Sequence, residues 1–392
     1  MLKKIWKAKS FWPTVITLAA IIILLLMPDR YVNPTYDRYD RCKAKVLEVD
    51  NSLLMQSGLI TYGEQVCTVE LLNGPHKGQI SPALNALAGS LQTDKVFEAG
   101  DIILVLVGTD ATEGIYKVTT VDHYRMNWEI LILIAFALFL IVFARWTGVR
   151  AVLAFTFTVL CIWRILIPCL LDGISPIPLG AFITTILAVI ILTLVYGIDR
   201  RALAAILGSL LGTLVTMVLA VIFMHVLKIQ GAVMEYSESL LYSGYAHLNL
   251  TEIFIASIFI ASSGALMDIA VDITSGVHEV VTVDPTVSKR YAIKAGLNIG
   301  RAAISTMTTT LLLAYSGSYV GLLMVFVAQG TPLVNILNLN YVSAEIVNTI
   351  IGSFGLITVA PFTAITSGLL LADRKPKVKP MMPADNSENA QT

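Results

Sequence analysis

Eight stretches of this 392-residue chain are long and apolar enough, or nearly so, to cross a bilayer: roughly 11–27, 127–144, 151–170, 177–197, 203–224, 253–273, 302–327 and 343–371. A helix crossing the hydrocarbon core needs about 20 predominantly apolar residues. Only 14% of the residues are charged and 56% are hydrophobic, against about 25% charged in soluble domains. The chain therefore reads as an integral membrane protein. Its net charge of zero and the lack of a basic patch argue against a nucleic-acid partner. Four cysteines without CxxC spacing leave no structural zinc site. No GxGxxG, GxxxxGK[ST] or HExxH occurs, so nucleotide and zincin chemistry have no support. The five histidines are scattered as loop or interfacial residues. No nucleophile has a base nearby in sequence, so the expectation is no enzyme, no cofactor and no metal.

Lysine and arginine orient the spans through the positive-inside rule. Lys3, Lys4, Lys7 and Lys9 put the N-terminus in the cytoplasm, and "FWPTVITLAAIIILLLM" then reads as an uncleaved signal anchor, lacking an A-x-A site. Alternation places Arg145 and Arg150, Arg200 and Arg201, the "SKRYAIK" loop and the "DRKPKVK" tail inside. The outward loops are nearly free of basic residues. The expected fold is an all-α polytopic bundle of about eight transmembrane helices, both termini cytoplasmic, with a small extracytoplasmic β-barrel-like domain between the first two. The expected segments are 1–28 (start and anchor), 29–126 (β-rich domain), 127–372 (seven-helix domain) and 373–392 (disordered cytoplasmic tail).

The β-rich expectation rests on alternation in "KAKVLEVD", on "EQVCTVELLNG" ending in the hairpin signal Asn73-Gly74, and on the runs "EAGDIILVLVG" and "GIYKVTTVD". Four or five such strands suggest a small barrel of the OB or SH3-like kind. Cys42 and Cys67 fall near the first two strands, either bridged in an oxidising compartment or as two half-buried free thiols.

The run "SGALMDIAVDIT" places Asp268 and Asp272 one helical turn apart within an apolar span. Ionisable groups at membrane depth are costly and mark functional candidates. Four residues apart, the two carboxylates share a helix face and suit a proton relay or a cation site. The next span brings Arg301, Ser305, Thr306, Thr308, Thr309 and Thr310 into the cytoplasmic half of the membrane; the last brings Glu345, Asn348 and Ser353 into the outer half. Thr308, Thr309, Thr310 and Asn348 are the candidate supporting groups. The structural alternative is a static Asp268–Arg301 ion pair, with the hydroxyls only joining helices. Arg164 lies toward the outer end of its span, where snorkelling accounts for it. Gly208-x-x-x-Gly212, Gly296-x-x-x-Gly300 and Gly317-x-x-x-Gly321 are close-packing steps. The polar stretch between spans six and seven reads as a short cytoplasmic amphipathic helix.

Over roughly 127–371, "SGALMDIAVDITSGVHEV", "AGLNIGRAAISTMTTTLLLAYSGSYVGLLM" and "SAEIVNTIIGSFGLITVAPFTA" resemble the YibE/F family of membrane proteins, and the outward domain fits its longer, YibE-type members. The resemblance implies a multi-pass protein of the bacterial cell membrane. It also implies a paired, shorter YibF-type subunit or a homo-oligomer as partner besides the lipid bilayer. A weaker similarity links the last three spans to SecD/SecF and RND-type helices, where Asp268 and Asp272 would stand at the relay position. RND relays carry adjacent aspartates rather than a pair four apart. The expectation for function is a proton- or cation-coupled transporter or transport-assisting protein. The alternative is a non-transporting scaffold or assembly subunit that presents the outer domain to a partner.

Overall fold

The computed structural model describes residues 11–28, 30–31, 39–110 and 114–372. The basic start and the tail expected to be disordered lie outside them. The chain divides into two compact units: Pro28–Arg145, and the first helix together with everything from Trp146 onward.

In the first unit, five strands close a barrel: β1 (Tyr39–Ser57), β2 (Ile60–Leu71), β3 (Ile80–Ala88), β4 (Ile102–Asp110) and β5 (Gly114–His123). The strand order is β1-β2-β3-β5-β4. All pairings are antiparallel except the closure of β3 on β5, which runs parallel at Leu84 and Thr119. This is the OB-type order of the two barrel kinds expected. Period-two alternation sends Cys42, Ala44 and Val46 of β1, Cys67, Val69 and Leu71 of β2, and Ile103, Val105 and Val107 of β4 into one core. Asn73-Gly74 sits in a longer β2–β3 connection rather than a two-residue turn: Gly74 has φ 82°, and Asn73 Oδ1 accepts a hydrogen bond from the Lys43 backbone N–H at 2.6 Å. The tight hairpin is instead at Gly58 (φ 63°), between β1 and β2.

Cys42 and Cys67 are free thiols. The register explains why. Cys67 pairs with Val49, while Cys42 pairs with Val105 on the other side of β1. Seven residues of β1 separate the two levels, roughly 20 Å of strand, far beyond disulfide reach.

The second unit is helical. Its elements are α1 (Phe11–Leu26), the part of α2 (Met126–Cys161) from Trp146 onward, α3 (Ile167–Leu171), α4 (Pro176–Tyr196), α5 (Arg200–Val226), α6 (Ser237–Leu240), α7 (Leu250–Val283), α8 (Lys289–Ser318), α9 (Val320–Ala328), α10 (Leu333–Asn338) and α11 (Asn340–Leu371). Five helices among the described residues are long and apolar enough to cross a membrane: Met126–Leu171, α4, α5, α7 and α11. The first of these contains two expected spans, 127–144 and 151–170. At Arg145 its backbone turns to φ 51°, ψ −125°, a left-handed conformation that breaks the helix between them. The expected span 302–327 is divided between α8 and α9 by non-helical Tyr319. Helix α1 is shorter and apolar. The expected amphipathic connector is absent as a separate element: α7 runs on to Val283 and α8 starts at Lys289.

α7 is the centre of this unit. Its buried residues Leu266, Ile269, Ala270 and Ile273 pack with Leu192 of α4, Ala205 of α5, Ala292 of α8 and Val359 of α11. Glycine makes two seams possible. A Cβ at Gly208 of α5 would overlap Thr363 of α11, and one at Gly355 of α11 would overlap Thr216 of α5. On the other side, Gly296 and Gly300 of α8 admit Ala364 and Ala360 of α11. Such approaches replace the hydrophobic effect, which is weak between helices in lipid, with close van der Waals contact. The third step fails as a seam: Gly317 and Gly321 meet nothing within 4 Å. The helix ends between them, so they do not share a face.

Candidate functional site: a carboxylate strip on the central helix

Most of α7 is buried, but one face is not. Ala261, Gly264, Asp268, Asp272 and Ser275 are exposed, while Leu266, Met267, Ile269, Ala270 and Ile273 around them are buried. These exposed positions recur every three or four residues, so they form a continuous strip along the helix. The strip is made of small residues except for the two carboxylates, and the space over Gly264 is open.

Two helices border it. On one side the Tyr196 hydroxyl of α4 donates to the Val271 carbonyl at 2.7 Å and lies 2.7 Å from Ser275 Oγ. This holds α4 against the turn that carries Asp272. The Arg201 guanidinium stacks over the Tyr196 ring at 5.4 Å. On the other side α8 runs antiparallel, with Ile299 against Gly276 and Gly300 against Ile273. Extending that register brings Asp272 level with Arg301, and Asp268 level with Ser305 and Thr306. Thr308, Thr309 and Thr310 lie beyond, level with Gly264.

The candidates named from the sequence divide accordingly. Asp268 and Asp272 share the open strip. Arg301 is exposed; its guanidinium lies 3.4 Å from Asn298 Oδ1 and forms no ion pair with either aspartate, so the static Asp268–Arg301 pair does not form. Thr309 and Thr310 are exposed and donate to the carbonyls of Ser305 and Thr306. Thr308 Oγ1 is enclosed and has no hydrogen-bond partner among the described residues. Asn348 does not join this group: it lies on α11, one turn from Glu345, at the other end of the unit. Tyr196 and Ser275 complete the strip's border and were not singled out by pattern. The signal was an aromatic at the end of an apolar run, just before "GIDRR". Among the described residues no cluster of His, Cys, Asp and Glu is arranged to hold a metal ion.

A five-stranded barrel joined to long apolar helices, with a pair of carboxylates on the most buried of them, defines an integral membrane protein with a small β-domain. Residues 132–373 match the family described as YibE/F-like protein. The match covers more than half of the chain, and the chain belongs to the YibE/F family. No curated protein and no solved structure matches it.

Proposed function

We propose that this protein is a proton- or cation-coupled transporter, or a protein that assists transport, in the cell membrane, with Asp268 as principal carboxylate and Asp272 as the second. One observation carries the reading: two carboxylates without an ion-pair partner among the described residues lie on an open strip of the otherwise most buried span. A charge facing lipid there would cost several kcal/mol, so the strip lines a hydrated path or is covered by protein. Carboxylates that exchange charge with a path, rather than being locked in a salt bridge, are what proton or cation coupling requires. The hydroxyls of Ser305, Thr306 and Thr309 on the exposed side of α8 extend the polar lining. The eight-span, positive-inside arrangement, with the barrel outside and both termini inside, belongs to this reading, as does the absence of enzymatic chemistry.

The second reading, a scaffold or assembly subunit, is favoured by the same openness. A strip left uncovered among the described residues fits a second copy or a shorter subunit of the same family. Carbodiimide labelling of Asp268 and Asp272, read by mass spectrometry in membranes from about pH 5 to about pH 9, with and without sodium, tests the first reading. Labelling of Asp268 that fades near neutral pH supports a proton site, and protection by sodium a cation site. No labelling at any pH sinks both. Asp268→Asn is then as damaging as removal of residues 29–126 if the protein transports, and silent if it is a scaffold.

A further inference from the structure

At the opposite end of the helical unit from Asp272, where Ala344 and Val347 of α11 pack with Met224 of α5 and Phe254 of α7, lies a cavity of about 260 Å³. Its walls are apolar, formed by Leu312, Leu322, Leu323, Ile346 and Ile350, yet Glu345 lies in it. Thr349 Oγ1 lies 3.5 Å from the Glu345 carboxylate, and Tyr319 lines the same cavity. No Lys, Arg or His among the described residues pairs with Glu345 or lines the cavity. The site thus combines a carboxyl group without an ion-pair partner, an aromatic ring and apolar walls.

We propose that this cavity binds a small organic ammonium ion carrying an apolar body. The ammonium donates to Glu345, replacing the missing counter-charge, and the body fills the space between α8, α9 and α11. An inorganic cation fits poorly: besides Glu345 the lining offers only the hydroxyls of Ser316, Tyr319 and Thr349, fewer oxygens than a hard cation takes. The volume equals that of roughly nine waters at about 30 Å³ each, room for an arylalkyl amine but not for a two-chain lipid. The inference does not rest on the aspartate strip.

The test uses the full chain in nanodiscs of phosphatidylcholine and phosphatidylglycerol, with radiolabelled phenethylamine as probe. The expected result is saturable binding, one per chain, that 2-phenylethanol does not displace. Glu345→Gln should weaken it about tenfold or more, the loss of one charge-assisted hydrogen bond. Leu322→Trp, which keeps the carboxylate but fills the cavity, should abolish it, with elution profile and melting midpoint of both variants compared with the parent. Binding that is absent, or unchanged in both folded variants, overturns the proposal. Displacement by a few mole per cent of phosphatidylethanolamine overturns the assignment to a free amine and gives the site to a lipid headgroup.

Discussion

The hydroxyl oxygens of Tyr196 and Ser275 lie 2.7 Å apart, and Tyr196 also donates to the carbonyl of Val271. Its proton being committed to Val271, Ser275 is the donor between the two hydroxyls. This link fixes the end of α4 beside the turn that presents Asp272. Tyr196→Phe removes both bonds and should lower stability by about 1 kcal/mol, a fall in melting midpoint of about 2–4 °C for a unit of this size. Ser275→Ala alone should cost less, because Tyr196 keeps Val271. Thermal unfolding of the single and double variants checks this; strictly additive losses would show that the hydroxyls are not coupled.

The α5–α11 seam makes a contrast between two glycines that look alike in sequence. Gly208→Leu drives a side chain into Thr363 and should cost on the order of 3 kcal/mol, the upper range for overpacking. Gly317→Ala enters open space within a helix and should be neutral or stabilising by up to about 1 kcal/mol. Melting of both variants in the same detergent decides it, and equal destabilisation would refute the seam.

In the barrel, Gln65 is fully buried and uses all its hydrogen-bonding capacity. Its amide nitrogen donates to Asn51 Oδ1 and to the Phe97 carbonyl, both at 2.8 Å; its oxygen accepts from Asn85 and from the Phe97 N–H, both at 3.0 Å. Asn85 in turn donates to the Lys95 carbonyl at 2.6 Å and accepts from Thr120. The network pins the segment that inserts Phe97 into the core. Gln65→Leu strands several buried partners and should cost about 3–5 kcal/mol. Loss of protection at Cys67, measured by maleimide labelling in urea, reports it; an unchanged midpoint would mean the segment is held by Phe97 packing alone.

Those thiols are themselves informative. Burial pushes the Cys67 thiol up to about 11, with the nearby Asp101 charge adding to it; burial and then Asp40 raise Cys42. Both stay protonated at neutral pH and inert while the barrel is folded. Asp122 sets the acid limit. Desolvation pushes its carboxyl up, but hydrogen bonds from Lys95, Arg125 and the His123 N–H outweigh that and bring it to about 2, with Lys95 Nζ at 2.7 Å and Arg125 at 2.9 Å. A depressed carboxyl stabilises the fold above its unfolded value of about 3.9. That contribution, on the order of 1–2 kcal/mol, is lost as pH falls from about 4 to about 2. Asp122→Asn should flatten this decline, followed by the circular dichroism of the barrel during acid titration, and a decline of equal steepness in the variant would exclude Asp122 as its cause.

How far these features are legible in sequence follows from their range. "KAKVLEV" alternates, and the structure alternates with it, because period two is a local property of an amphipathic strand. The closure of the barrel is not local: it depends on Leu84 meeting Thr119, and no nearby residue announces that. The shared face of Asp268 and Asp272 follows from helical spacing. That the face is open depends on where α4 and α8 stop covering α7. Composition groups Asn348 with the aspartates, but its helix carries it beside Glu345 at the other end of the unit. Gly208-x-x-x-Gly212 and Gly317-x-x-x-Gly321 carry the same spacing, and only the break at Tyr319 separates a seam from two unrelated glycines.

The glycine seams have a mechanical consequence. α8 is clamped near its start, where Gly296 and Gly300 lock into α11 and Ile293 fills the space beside Gly368. Its last turns, from Leu312 on, are largely exposed and end at a break. A rod held at one end and loose at the other is a cantilever, with deflection greatest at its tip. The tip of α8 is a wall of the Glu345 cavity, whereas the clamped stretch borders Asp272. Displacement of the tip therefore changes the cavity's width while leaving the carboxylate strip in register.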